Sequence, residues 1–112
     1  LALAASGLNG QHFAFVGYVP QDAAERGKRL RELDALAHKT GQTQILIETP
    51  YRNAALLQAL LQSLQAGTRL AVCCGLGLPQ QQVRSAPVAD WKRRALAEGL
   101  PLADPAVFLF GR

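Results

Sequence analysis

The 112-residue sequence lacks most of the features that announce a chemistry. No run approaches the roughly 20 apolar residues that cross a bilayer, so no membrane partner is expected. There is no phosphate loop and no nucleophile elbow: GLNG at residues 7–10 and GLGLP at residues 75–79 lack the spacing of a dinucleotide or Walker fingerprint. Histidine is scarce. His12 and His38 stand apart at a strand start and a helix end, where a lone imidazole is more often a surface or capping group than a ligand or base, and no metal cluster is expected. The only cysteines, Cys73 and Cys74, are adjacent and point to opposite faces of a strand, which disfavours a disulfide. In RLAVCCGL they read as small apolar fillers, ahead of a redox pair. The opening LALAAS has no basic n-region of a signal peptide, so a cytoplasmic setting is expected. With 4 Phe, 2 Tyr and 1 Trp, the core must be mostly aliphatic.

What is present fits one folded domain. Hydrophobic residues make up 49% and charged residues 18%, a balance that excludes a disordered tail. The net charge of +4 is compatible with an anionic partner such as RNA, but the 12 basic residues are spread along the chain and form no single run.

Residues 1–8 (LALAASGL) read as the tail of a helix ending at Gly7, with no N-cap of its own, so a longer chain upstream is expected. His12 to Val19 alternates as a strand, with Phe13, Phe15 and the Gly17/Val19 positions on one face, and Pro20 closes it. Asp22 and Glu25 suggest a capping box for a helix to about Lys39, with Leu30, Leu33 and Ala37 inward. Arg26, Lys28, Arg29, Arg31 and Glu32 lie on its other face. Gly41 ends the helix, and Gln44 to Glu48 is a strand running into Thr49-Pro50, the order of an N-cap and first helical residue. A helix from about Tyr51 to Gln65 follows, with Ala54, Leu57, Leu61 and Leu64 on one side. Arg69 to Cys74 and Gln82 to Ala86 read as strands, Val88 to Glu98 as a helix and Ala106 to Phe110 as a last strand. Strands alternating with helices predict an α/β domain with a mixed, partly parallel sheet of about five strands and helices packed on its faces. Such sheets bind ligands at the carboxyl ends of their strands.

The junction IETPYRN is the most informative segment. Glu48, Tyr51 and Arg52 gather at a strand's carboxyl end and a helix's first turn, where backbone donors and the helix dipole attract ligands. From spacing alone, an ion pair between Glu48 and Arg52 beside a capped helix is the simpler reading. The loop Gly75 to Pro79 would let backbone approach a ligand, and reads equally as a plain turn. Trp91 with Lys92, Arg93 and Arg94 could stack on and neutralise RNA, although a tryptophan packed inward beneath solvated basic residues is the simpler account.

Taken together, ASGLNGQHFAFVGYVP, the arginine-rich helix after it, TQILIETPYRNAALL and the closing PAVFLFG resemble the C-terminal domain of the tetrapyrrole methylase superfamily, over essentially the whole chain. The resemblance is closest to the branch of bacterial 16S rRNA ribose 2'-O-methyltransferases. That branch carries SGL, then F-x-G followed by F or Y, L or V, and P, then T-x-I-x-x-E followed by S or T, P, H or Y, and R. Here these read Ser6-Gly7-Leu8, Phe15 to Pro20, and Thr43 to Arg52.

The resemblance implies that residues 1–112 are the C-terminal domain of a two-domain methyltransferase, with residues 1–8 the tail of a helix shared with an N-terminal domain. S-adenosyl-L-methionine would lie in the cleft between the two domains, usually within a homodimer. By position, Ile47, Glu48 and Thr49 fall where the family places a side chain and backbone against the cofactor. Leu76 and Gly77 fall on its second contacting loop, Pro105, Ala106 and Val107 at the start of its last strand, and Tyr51 and Arg52 on the acceptor side. No catalytic residue is assigned. One departure separates the chain from the rRNA-modifying branch: where that branch has R-E-L-T-K, this chain has Cys74-Gly75-Leu76-Gly77-Leu78, without an acid or base to handle a ribose hydroxyl. The acceptor implied is therefore a tetrapyrrole-like or RNA substrate. The rival expectation is a non-enzymatic RNA-binding or dimerisation module using the basic faces at Arg26 to Arg31 and Trp91 to Arg94.

Overall fold

The computed structural model describes residues 7–8 and 12–112. Five strands, β1 (Phe13–Gly17), β2 (Thr43–Ile47), β3 (Arg69–Cys74), β4 (Gln82–Pro87) and β5 (Ala106–Gly111), form one sheet in the order β1-β2-β5-β3-β4. The β1 and β2 pair is parallel and every other neighbouring pair antiparallel, so the sheet is mixed, as expected. The parallel pair needs a long crossover, which α1 (Ala23–Thr40) supplies.

Local chemistry sets the ends of α1. The Asp22 carboxylate accepts the Glu25 N–H at 3.0 Å, and Gly41, at φ 76°, donates its N–H to the Ala37 carbonyl. Leu30, Leu33 and Ala37 are buried as the periodicity predicts, and Asp34 is buried with them. The second helix, α2 (Asn53–Ser63), is shorter than expected because Pro50–Arg52 forms a separate 3-10 turn. Leu57, Leu61 and Leu64 are inside, but Ala54 is exposed and Leu56 and Leu60 widen the buried stripe.

The third helix, α3 (Val88–Arg93), stops well short of Glu98. Ala95 adopts φ 51°, the Leu96 N–H reaches the Trp91 carbonyl at 3.0 Å, and the Ala95 N–H reaches the Lys92 carbonyl. This is a Schellman C-cap built on alanine, so no glycine marks it in the sequence. The guanidinium of Arg84 then donates to the carbonyls of Leu96 and Glu98 and holds the irregular chain that follows.

The main core lies between the three helices and one sheet face, where Leu46, Leu70, Val72, Phe108 and Phe110 meet Leu30, Leu57, Leu60 and Trp91. The other face carries Ile45, Ala71, Cys73 and Leu109, with Leu8, Leu76, Val83 and Val107 packed on them. The described helices therefore cover one face, not both. On the edge strand β1, Phe15 lies beside Ile45 on that second face, and Phe13 and Phe15 remain 48% and 64% exposed. They do not share a face with Val19: the register shift between Phe15 and Gly17, with Gly17 at φ 80°, sends Val19 into the helix-side core. The helix expected over residues 1–8 lies outside the described residues except for Gly7, at φ 74°, and Leu8.

Candidate functional site

Strands β2 and β3 point the same way and β5 runs against both, so the ends of β2 and β3 and the start of β5 share one sheet edge. The register places Ile47 opposite Val107 and Cys74 opposite Ala106. This brings together the segments the sequence singled out: Ile47, Glu48 and Thr49; Leu76 and Gly77; and Pro105, Ala106 and Val107. Tyr51 and Arg52 follow on the 3-10 turn that leaves β2.

Backbone groups join these segments. The Pro105 carbonyl accepts the N–H of Gly75 at 2.8 Å and of Leu76 at 3.4 Å, tying the β3 loop to the start of β5. The Leu78 N–H then bonds the Gly75 carbonyl, so residues 75–78 are an ordered turn. At its tip, exposed Gly77 has φ 78° and nothing within 4 Å of where a Cβ would stand, leaving main chain open to a ligand. Leu76 and Val107 are half-buried against the Ile45 and Leu109 cluster, whereas Ala106 is buried on the helix side.

The junction differs from the simple N-cap expected at Thr49. The Thr49 hydroxyl makes no capping bond, and Thr49 accepts the Arg52 N–H through its backbone carbonyl. The Glu48 carboxylate folds back to accept the Thr49 N–H at 2.7 Å, and its side chain is only 5% exposed. Arg52 Nε lies 3.9 Å from the same carboxylate, a long ion pair of the kind the spacing suggests. The Arg52 guanidinium also sits 4.6 Å over the ring of Tyr51 and donates to its hydroxyl at 2.6 Å, while Tyr51 is 78% exposed. The result is an aromatic plane and a fixed positive charge at the rim.

Asn53 carries a tether that the sequence reading missed. It is fully buried and its amide donates to the carbonyls of Leu102 and Asp104, both at 3.0 Å. Its signal was an asparagine on the same helical stripe as Leu56, Leu57, Leu60 and Leu61, where a polar side chain must find partners. Beneath the edge, Cys73 and Cys74 are buried thiols. Burial chiefly pushes both upward in pKa, Cys74 to about 11, with Cys73 and Asp104 adding to the rise and Arg84 opposing it.

Of the two basic faces in the rival reading, the one at Trp91 to Arg94 does not offer its ring to a base, while Lys28, Arg29 and Arg31 on the other are exposed. Trp91 is 1% exposed and donates its indole N–H to the Leu70 carbonyl at 2.8 Å, so its ring cannot stack on a base. Lys92, Arg93 and Arg94 are exposed, and Arg93 is paired with Asp90. No helix among the described residues is long and apolar enough to cross a membrane. Among the described residues no group of three or more His, Cys, Asp and Glu could hold a metal ion.

No protein-family model matches the sequence, and no curated protein does. Solved structures do match. A uroporphyrin-III-C-methyltransferase from Thermus thermophilus is 27% identical with a TM-score of 0.54, over 98% of this chain and 45% of that one. The cobalamin biosynthetic enzyme cobalt precorrin-4 methyltransferase, CbiF, is 15% identical with a TM-score of 0.60, over 98% and 46%. A uroporphyrin-III C-methyltransferase from Thermus thermophilus, solved with S-adenosylhomocysteine, is 18% identical with a TM-score of 0.53, over 98% and 48%. The chain thus has the fold of tetrapyrrole methylase C-terminal domains and spans about half the length of the solved relatives it matches.

Proposed function

We propose that this chain forms one wall of the S-adenosyl-L-methionine cleft of a two-domain methyltransferase. Ile47, Glu48, Thr49, Leu76, Gly77, Pro105 and Val107 would line the donor side, with Ala106, its side chain buried on the helix side, contributing main chain only, and Tyr51 and Arg52 would line the acceptor side. The observation that carries the reading is the convergence of three strand-end segments on one sheet edge in a fold shared with methyltransferases of twice the length.

The residues suit the donor. Ile47, Leu76 and Val107 are half-buried apolar groups, and main chain is open at Gly77, a combination that serves an adenosyl group through contact area and backbone hydrogen bonds. The bound donor supplies an electrophilic methyl on a sulfonium. The chain's own residues bind and orient it: Glu48 fixes the Thr49 backbone, and the Pro105 carbonyl fixes the Gly75 to Leu78 turn. That turn offers no acid or base, so we assign the rate enhancement to positioning. The ring of Tyr51 and the charge of Arg52 suit a flat, anionic acceptor, and we favour a tetrapyrrole-like substrate over RNA. The remaining parts of the proposal are a cytoplasmic homodimer in which the chain's own N-terminal domain completes the cleft.

Calorimetric titration of the full-length protein with S-adenosylhomocysteine tests the donor site. Binding is expected, and Glu48→Ala and Gly77→Val should each weaken it about tenfold, or ~1.4 kcal/mol. Absent binding, or binding indifferent to both changes, overturns the reading. Transfer of labelled methyl to RNA and not to a porphyrinogen would reassign the acceptor.

A further inference from the structure

We infer that Asn53 is a positioning residue that holds the three edge segments in one alignment, and that the cleft depends on its two amide hydrogens. The inference rests on the methyl-donor reading for what the segments bind, but not for how they are held.

Asn53 opens α2 directly after the 3-10 turn that leaves β2, so it moves with Glu48 and Thr49. Its Nδ2 lies 3.0 Å from two main-chain carbonyls, those of Leu102 and Asp104. Both are acceptors only, so the amide orientation is settled: the NH2 group faces them and gives one hydrogen to each. Those carbonyls belong to the turn that delivers Pro105, closed by the Leu102 N–H on Leu100 and the Asp104 N–H on Pro101. Pro105 in turn accepts from Gly75 and Leu76. One side chain therefore links the end of β2 to the start of β5, and through Pro105 to the loop after β3.

Asparagine at a helix start commonly acts through its oxygen, as a cap for backbone N–H groups. Asn53 does not. The N-cap position is Arg52, and the buried Asn53 Oδ1 has no partner among the described residues. With both amide hydrogens given to main-chain carbonyls and no backbone N–H capped by the oxygen, the donors are the groups through which Asn53 joins the segments. Aspartate, nearly the same shape, would set a carboxylate oxygen against two carbonyls, and leucine would keep the bulk with no donor at all.

Amide hydrogen exchange and S-adenosylhomocysteine titration on the full-length protein test this together. In Asn53→Asp and Asn53→Leu, the Gly75 and Leu76 amides should exchange about tenfold faster than in the wild type while Val72 and Phe108 hold their rates, since local opening is read amide by amide. Affinity for S-adenosylhomocysteine should fall about tenfold in both. Relative to wild type at each pH, acidification should restore protection in Asn53→Asp, whose protonated carboxyl regains one donor, and not in Asn53→Leu. Unchanged Gly75 and Leu76 amides, a uniform acceleration of all amides, or equal recovery in both variants overturns the inference. If the wild type binds no S-adenosylhomocysteine, the methyl-donor reading fails while the exchange pattern still decides Asn53. If neither variant folds, the wild type decides: slow exchange of the Asn53 NH2 group with couplings to the Leu102 and Asp104 carbonyls supports the inference, and fast exchange overturns it.

Discussion

The two ends of the sheet are built on opposite principles. At the end where β3 begins, buried side chains satisfy one another: Thr68 donates its hydroxyl to Asp34 at 2.6 Å, the other Asp34 oxygen accepts the Gln65 N–H at 2.8 Å, and His38 Nε2 lies 2.7 Å from the Thr68 oxygen. Because the Thr68 hydrogen goes to Asp34, His38 Nε2 is the donor to the Thr68 oxygen. The Thr68 carbonyl also receives the Val88 N–H, so α1, the start of β3 and the start of α3 meet at one knot. At the other end the segments meet through main chain, with Gly77 and Pro105 exposed and one buried asparagine as the tether. The first arrangement closes the fold; the second leaves hydrogen-bonding groups and apolar edges for something else to meet. On the proposed reading, stability and ligand contact are thus separated along the strands.

That separation can be broken most sharply at Asp34. Asp34→Ala leaves the Thr68 hydroxyl and the Gln65 N–H without their buried acceptor, and each such loss costs about 1–3 kcal/mol. A loss of about 3 kcal/mol is expected, a fall in Tm of roughly 15 °C for a domain of this size. The full-length variant, measured well below its Tm, should keep wild-type affinity for S-adenosylhomocysteine. A matching loss of affinity would show that the two ends are energetically one unit.

The second test is smaller and sits beneath the open end. Cys74 closes β3, and burial raises its thiol from the ordinary 9.0 to about 11. The folded state binds its proton more tightly than the unfolded state. Its contribution is therefore fully present below about pH 9 and lost as pH rises through about 11, by on the order of 2 kcal/mol. Urea midpoints of wild type minus Cys74→Ala across that window should show the decline. A flat difference would mean that water already reaches the thiol and that the open end is looser than its buried floor indicates.

How much of this was legible in the sequence follows from which physical signals are local. The capped start of α1 at Asp22 and its stop at Gly41 were readable because capping acts within four residues. The strand β5 was readable as an apolar run between turn signals. The convergence of Ile47, Leu76 and Val107 was implied by resemblance alone, since strand order is set by long-range pairing that periodicity does not encode. Glu48 turned inward onto Thr49 because a carboxylate beside a free N–H at a strand end takes the nearest donor, something spacing to Arg52 could not show. Asn53 and Asp34 went unnoticed for a shared reason. Each is a polar residue on an apolar helical stripe, and the groups it hydrogen-bonds lie 31 to 51 residues away in the chain.

Ala95 gives the finest test, because it lies on the segment that carries the chain from α3 back to the open edge. A left-handed conformation costs a residue with a Cβ roughly 1–2 kcal/mol, and glycine relieves it. Glycine also gives the unfolded chain more freedom, which takes back part of the gain. Ala95→Gly should therefore raise stability by about 0.5–1 kcal/mol, read as a higher urea midpoint with an unchanged slope. Elsewhere in a helix the same substitution lowers stability by a similar amount, so the sign itself diagnoses the cap. Ala95→Val should move the opposite way, because β-branching resists positive φ. If both changes weaken the protein, the Schellman turn at Ala95 is not how α3 ends, and the path by which Arg84 anchors the return to Leu102 and Pro105 must differ as well.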